Sequence, residues 1–74
     1  MKYFVKRSNT DGSVIALYRY LSDGKERTEE IWDATGRNWN ETNLLFSYLA
    51  KGEPSLDEID LEAAKRIFPI AFAP

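Results

Sequence analysis

Ser13-Val14-Ile15-Ala16-Leu17-Tyr18-Arg19-Tyr20-Leu21 lies between Asn9-Thr10-Asp11-Gly12 and Ser22-Asp23-Gly24-Lys25, and this stretch decides the fold. Its β-branched and aromatic residues suit a pleated, half-buried surface. The Asp-Gly pairs on either side supply the positive φ that tight hairpin turns require. A strand held between two hairpins follows. One side of it carries Ile15, Leu17, Arg19 and Leu21, the other Val14, Ala16, Tyr18 and Tyr20. Both sides are largely apolar, which predicts a central strand covered in part on each face.

Working outward, Lys2–Ser8 (KYFVKRS) reads as the preceding strand and Glu26–Asp33 (ERTEEIWD) as the following one. Ala34-Thr35-Gly36-Arg37 turns the chain again, so that Asn38-Trp39 forms a short fourth strand and Trp39 faces Trp32. Asn40 is the expected N-cap of a first helix, Glu41–Lys51, with Leu44, Leu45, Tyr48 and Leu49 at helical spacing. Gly52 ends that helix and Pro54 prevents its resumption. Ser55–Ile59 is an acidic connector, although Ser55 and Glu58 also match a capping box. Asp60 is the preferred N-cap of a second helix, Leu61–Phe68, which Pro69 stops. The apolar tail Pro69–Pro74 either folds back or reaches for a partner. The predicted fold is α+β: a three- to four-stranded antiparallel meander, then two short helices packed on one face, within a single domain covering residues 1–74.

Residue parity assigns the faces. Ile15, Leu17 and Leu21 form the stronger aliphatic set, to be closed by Leu44, Leu45, Leu49, Leu61 and Phe68. Val14, Ala16, Tyr18 and Tyr20 then occupy the opposite face, joined by either Tyr3 and Val5 or Phe4. Phenol hydroxyls want water or a partner, so that second face awaits the tail, a second copy of the chain, or a ligand.

Composition narrows the function. The chain has 74 residues with neither cysteine nor histidine. That excludes a disulfide scaffold, a thiol nucleophile, a zinc finger and any His-based acid–base or metal site. The longest apolar runs are far short of the roughly 18–20 residues of a membrane helix. Met1–Arg7 has no apolar core of about 7–15 residues as a signal peptide would. With no cysteine, a cytoplasmic location is the expectation. Net charge is −2, and residues 38–74 hold 3 bases against 6 acids, the reverse of a typical nucleic-acid binder. A core this small supplies only about 3–5 kcal/mol, so aromatic rings, ten of them here, must do much of the packing.

Two groups of residues are candidates for binding. Tyr3, Tyr18 and Tyr20, with Lys2, Lys6 and Arg7 nearby, combine stacking rings with phosphate-binding charge, a pattern suited to weak single-stranded nucleic-acid binding; half-buried sheet residues give the same pattern. Trp32, Arg37 and Trp39 gather hot-spot residues at one turn, or else the rings are core anchors and Arg37 covers one of them. Asp57, Glu58, Asp60 and Glu62 lack the spacing and central glycine of a calcium loop. There is no nucleophile motif, phosphate loop or cofactor fingerprint, so neither an enzyme nor a cofactor or metal is expected. The leading expectation is a protein-interaction module, with self-association as one form of partner, and nucleic-acid binding as the alternative.

Trp39-x-x-x-x-Leu44, Tyr48-Leu49-Ala50-Lys51-Gly52-Glu53-Pro54, and Leu56-Asp57-Glu58-Ile59-Asp60 with Ala63-Ala64 carry one resemblance. The chain resembles a group of short uncharacterised bacterial proteins in which an aromatic β-meander precedes a YLxxGEP helix end, an acidic connector and a short C-terminal helix. The resemblance covers most of the chain. It implies the fold and a bacterial origin, and no activity.

Overall fold

The computed structural model describes residues 1–73. Five strands form one antiparallel sheet: β1 (Lys2–Arg7), β2 (Val14–Ser22), β3 (Arg27–Asp33), β4 (Asn38–Glu41) and β5 (Leu56–Ile59). Their spatial order is β4-β3-β2-β1-β5. Helix α1 (Leu44–Lys51) comes between β4 and β5, and α2 (Leu61–Ile67) leads into a 3-10 turn, Pro69–Phe72. The α+β architecture is as expected, with one more strand.

The turns behave as their chemistry predicts. Gly12 and Gly24 both have positive φ. Asp23 accepts the Glu26 N–H at 2.8 Å, and that bond holds its carboxyl below the usual carboxylate range. The acidic connector is instead β5, paired antiparallel with β1 from Tyr3↔Ile59 to Lys6↔Leu56. Lys6 Nζ on Ser55 Oγ at 2.6 Å and Arg7 Nε on Asp57 Oδ2 at 2.8 Å fasten it there.

Consecutive residues on β1 are both buried: Phe4 is 6% exposed and Val5 0%. Neighbours on a strand point to opposite faces, so this sheet has a core on each side. Phe4 packs with Tyr18 and with Leu45 of α1, flanked by Ala16, Tyr20, Ile31, Tyr48 and Leu56. Val5 packs with Leu17 and with Ala64 of α2, surrounded by rings that include Trp32, Trp39, Phe68 and Phe72. The helices therefore lie on opposite faces, one each, and the expectation that both close one face is corrected. The chain crosses between faces by running through β5 at the sheet edge, which a loose connector would not have enforced.

A β-bulge changes the parity. Lys6 pairs with Ala16 while Arg7 pairs with Val14, leaving Ile15 as the extra residue. Val14 is thereby moved to the α2 face and Ile15 is left 62% exposed. Of the expected inward set, only Leu17 reaches a core; Leu21 is 45% exposed.

Helix α1 begins later than expected, because Asn40 pairs with Ile31 as part of β4. Asn43 takes the N-cap position without a side-chain bond. The first-turn donors are met from elsewhere: Thr42 Oγ1 accepts Leu44 N–H at 3.1 Å, and Glu29 Oε1, on β3, accepts Phe46 N–H at 2.6 Å. At the other end Gly52 is left-handed, and the bonds Gly52 N–H to Leu49 O and Glu53 N–H to Tyr48 O close a Schellman motif. Asp60 caps α2 as expected, accepting Ala63 N–H at 2.8 Å. The tail folds back: Phe72 meets Tyr3 edge-on with centroids 5.5 Å apart. Pro74 lies outside the described residues.

Candidate functional site

The expected tyrosine surface is divided by the sheet. Tyr18 is 2% exposed, enclosed between Phe4 and Leu45, and its ring meets Tyr48 of α1 edge-on. Tyr20 lies half-buried on that same face, and Tyr3 half-buried on the opposite one. The three rings share no open surface, so the stacking platform proposed for bases is absent. The reason is the helix arrangement: α1 covers the face that was to be left free.

The second group does assemble. Trp32 pairs with Trp39 across β3 and β4, and their rings meet edge-on with centroids 5.5 Å apart. Thr42 N–H bonds Glu29 O, and ladder bonds in an antiparallel pair recur at every second residue. Trp32 and Trp39 are therefore a non-hydrogen-bonded pair, the kind whose side chains approach most closely. Phe72 of the 3-10 turn packs edge-on to Trp39 at 6.2 Å. Between this turn and the sheet is an open cleft of about 630 Å³, lined by Arg19, Glu30, Trp32, Arg37, Trp39 and Ile70 among others.

Three charges border the cleft. Arg19 donates to Glu30 Oε1 through Nε at 2.7 Å, with Nη2 2.6 Å from the same oxygen. The Arg19 guanidinium also lies 4.1 Å above the Trp39 ring centroid. It is thus Arg19, not Arg37, that covers a tryptophan. Arg19 and Glu30 are direct cross-strand partners, so each is committed to the other. Arg37 differs: it is exposed and, among the described residues, has no carboxylate within ion-pair distance.

The backbone explains how Arg37 is placed. Asp33 Oδ1 accepts the N–H groups of Thr35 and Gly36, at 3.0 and 3.2 Å, tightening the turn. A Cβ on Gly36 would sit 2.8 Å from Asn38 Oδ1 and 3.0 Å from Asp33 Oδ2, so a larger residue there would make those two side chains shift. The left-handed residue is the next one, Arg37, with φ of 54°. A residue with a Cβ pays roughly 1–2 kcal/mol for that conformation. The turn therefore sets a strained, uncommitted cation beside two half-buried indoles.

Sequence reasoning missed Arg19, Glu30 and Ile70 as lining residues. The first two carried a signal. Counting back from the Asp23-Gly24 turn along the Ser22↔Arg27 register places Arg19 opposite Glu30. Ile70 carried none, since its place depends on where the tail folds.

Among the described residues, no group of three or more Asp, Glu, His or Cys side chains is placed to hold a metal ion. No helix among them is long and apolar enough to cross a membrane. In comparisons with known proteins, no family model, curated protein or solved structure matches the chain.

Proposed function

We propose that this chain is a small cytoplasmic protein-interaction module without catalytic activity, and that it binds its partner at the Trp32–Trp39–Arg37 cleft. The observation that carries this reading is the strained, uncommitted Arg37 at the mouth of an aromatic cleft. Backbone strain of that kind tends to persist where function holds it. Exposed Arg beside Trp is also the composition of interface hot spots.

The division of labour follows from the charges. Arg19 is held by Glu30 and by the Trp39 face, so it acts as a wall of the cleft rather than as a ligand for the partner. Arg37 is the group left to recognise a carboxylate. Trp32, Trp39 and the exposed Ile70 offer apolar contact beside it. The partner segment that fits carries an acidic residue next to an apolar one. With Arg19 and Glu30 engaged with each other, the cleft holds no free acid–base pair, which supports a binding role over a catalytic one.

Peptides selected from a random display library against the folded chain test this. Binders are expected to pair an acidic residue with an apolar neighbour and to shift the indole N–H resonances of Trp32 and Trp39. Arg37→Glu is expected to weaken them by about tenfold or more. Binders that leave both indoles unmoved, or that tolerate Arg37→Glu, would place recognition elsewhere and overturn the reading.

A further inference from the structure

The face that holds the cleft also holds a row of charge. Arg19, Glu30 and Glu41 are successive cross-strand partners on β2, β3 and β4. Glu30 stands two residues from Trp32, and Glu41 two residues from Trp39, so these carboxylates share the face of the indoles. Like the two tryptophans, Glu30 and Glu41 are a non-hydrogen-bonded pair, whose side chains approach most closely. Like charges set directly opposite each other repel. Arg19 answers Glu30 at 2.6 Å, which leaves the row with two carboxylates and one guanidinium. Glu41 is exposed and, among the described residues, has no ion-pair partner.

One unmatched charge of each sign therefore flanks the tryptophans. Arg37 belongs to the turn before β4, and Glu41 ends β4, with Trp39 between them. The Asp33 carboxylate of that turn does not neutralise Arg37, because it is taken by the Thr35 and Gly36 amides and by Asn40. We propose that the cleft binds an extended peptide segment of mixed charge: an acidic side chain for Arg37, an apolar one for the indoles and a basic one for Glu41, in that order. This rests on the reading of the cleft as a partner-binding site, and adds to it the base and the position of that base.

The order sets a spacing. Trp39 and Glu41 are two strand residues apart, about 7 Å. An extended ligand returns to the same face at the same interval, so its base stands two residues beyond its apolar residue, on the side away from the acid. Charge complementarity selects this occupant over others. A polyanion such as single-stranded nucleic acid meets Arg37 and is repelled by Glu41, and a wholly acidic peptide fails in the same way. A wholly basic peptide meets Glu41 and is repelled by Arg37. A Lys or Arg placed at Glu41 has the Glu30 strand between it and Arg19, so it gains an anion without facing the fixed cation.

Selection from one random peptide library on the wild-type chain and on Glu41→Lys tests this, with circular dichroism confirming that each is folded. Peptides held by the wild type are expected to carry Lys or Arg two residues beyond the apolar position, and those held by Glu41→Lys to lose that preference. In the strongest wild-type binder, replacing the base by glutamine is expected to weaken binding by about threefold, and by more at low salt. On Glu41→Gln, which keeps the size of the side chain and removes its charge, the same replacement is expected to change nothing. Wild-type binders without a base, a preference that survives Glu41→Lys, or a loss that persists on Glu41→Gln overturns the proposal. If that happens while the peptides still shift both indoles and fail on Arg37→Glu, the interaction-module reading stands; if no peptide binds at the indoles, both fall.

Discussion

The two faces of the sheet are built to the same plan and finished differently. On one, α1 drives Leu45 between Phe4 and Tyr18, so that a long side chain fills the space between helix and sheet. On the other, α2 offers Ala64 to Val5 and Leu17. An alanine lets the helix backbone come close to the strands but fills little volume around itself. Rings supply the rest: Tyr3, Trp32, Trp39, Phe68 and Phe72 surround the contact. An open cleft of about 630 Å³ lies beside Trp32 and Trp39 on this face. The face closed by a leucine is sealed over Phe4 and Tyr18, while the face closed by an alanine and a 3-10 turn keeps an open cleft.

The sharpest way to break this comparison is to remove the wedge from the sealed face. Leu45→Ala deletes a fully buried side chain and is expected to cost about 3 kcal/mol. Against a core worth only about 3–5 kcal/mol, that leaves about 0–2 kcal/mol of net stability, at the low end about half of the molecules unfolded. Urea titration followed by tryptophan fluorescence measures it. Leu17→Ala, also at 0% exposure but on the cleft face, is the matched control. If sealing distinguishes the faces, Leu45→Ala abolishes cooperative α1 melting, whereas Leu17→Ala loosens the aromatic layer. Far-UV circular dichroism follows the helix and tryptophan fluorescence the aromatic layer, and equal effects of the two variants on both readouts would erase the distinction.

The Tyr18 phenol sharpens it next. Burial, and then the neighbouring Tyr48, push its pKa up from 10.0 to about 12. The folded state therefore favours the neutral phenol. Its contribution to stability is complete below pH 10 and is lost as the pH rises through about 12. The shift corresponds to an effect on the order of 2 kcal/mol across that window. Tyrosinate absorbance should show Tyr18 ionising last, together with unfolding. Ionisation near pH 10 without unfolding would mean that α1 does not seal its face.

Legibility in the sequence follows the same division between local and distant causes. The β2 strand and its flanking hairpins were readable because Asp23-Gly24 and Asp11-Gly12 set their turns within a few residues. Gly52 and Asp60 were readable as caps for the same reason. The start of α1 was not, because its first-turn donor at Phe46 is satisfied by Glu29, 17 residues earlier and on another strand. β5 was hidden by its own carboxylates: Leu56 and Ile59 do not alternate, and only pairing with β1 makes them a strand. The bulge at Ile15 exists only in the register between two strands, so parity counted on one strand alone misplaced Val14. Trp32, Arg37 and Trp39 were legible as a group because a single turn joins them. The tyrosines were misjudged because the face they occupy depends on where α1 crosses.

Arg37 gives the smallest expected effect, and one of opposite sign. Its left-handed φ of 54° suits glycine better than any residue with a side chain. Arg37→Gly removes that strain and no ion pair, so stability is expected to rise by up to about 1 kcal/mol. The gain is tempered because glycine also makes the unfolded chain more flexible. Thermal melting measures the change, and the same protein assayed for peptide binding should show a loss. A variant both more stable and weaker in binding means that the strain at this turn is retained for recognition. If Arg37→Gly destabilises the fold instead, the guanidinium has a structural contact at the cleft, and the open face owes its shape to Arg37 rather than merely displaying it.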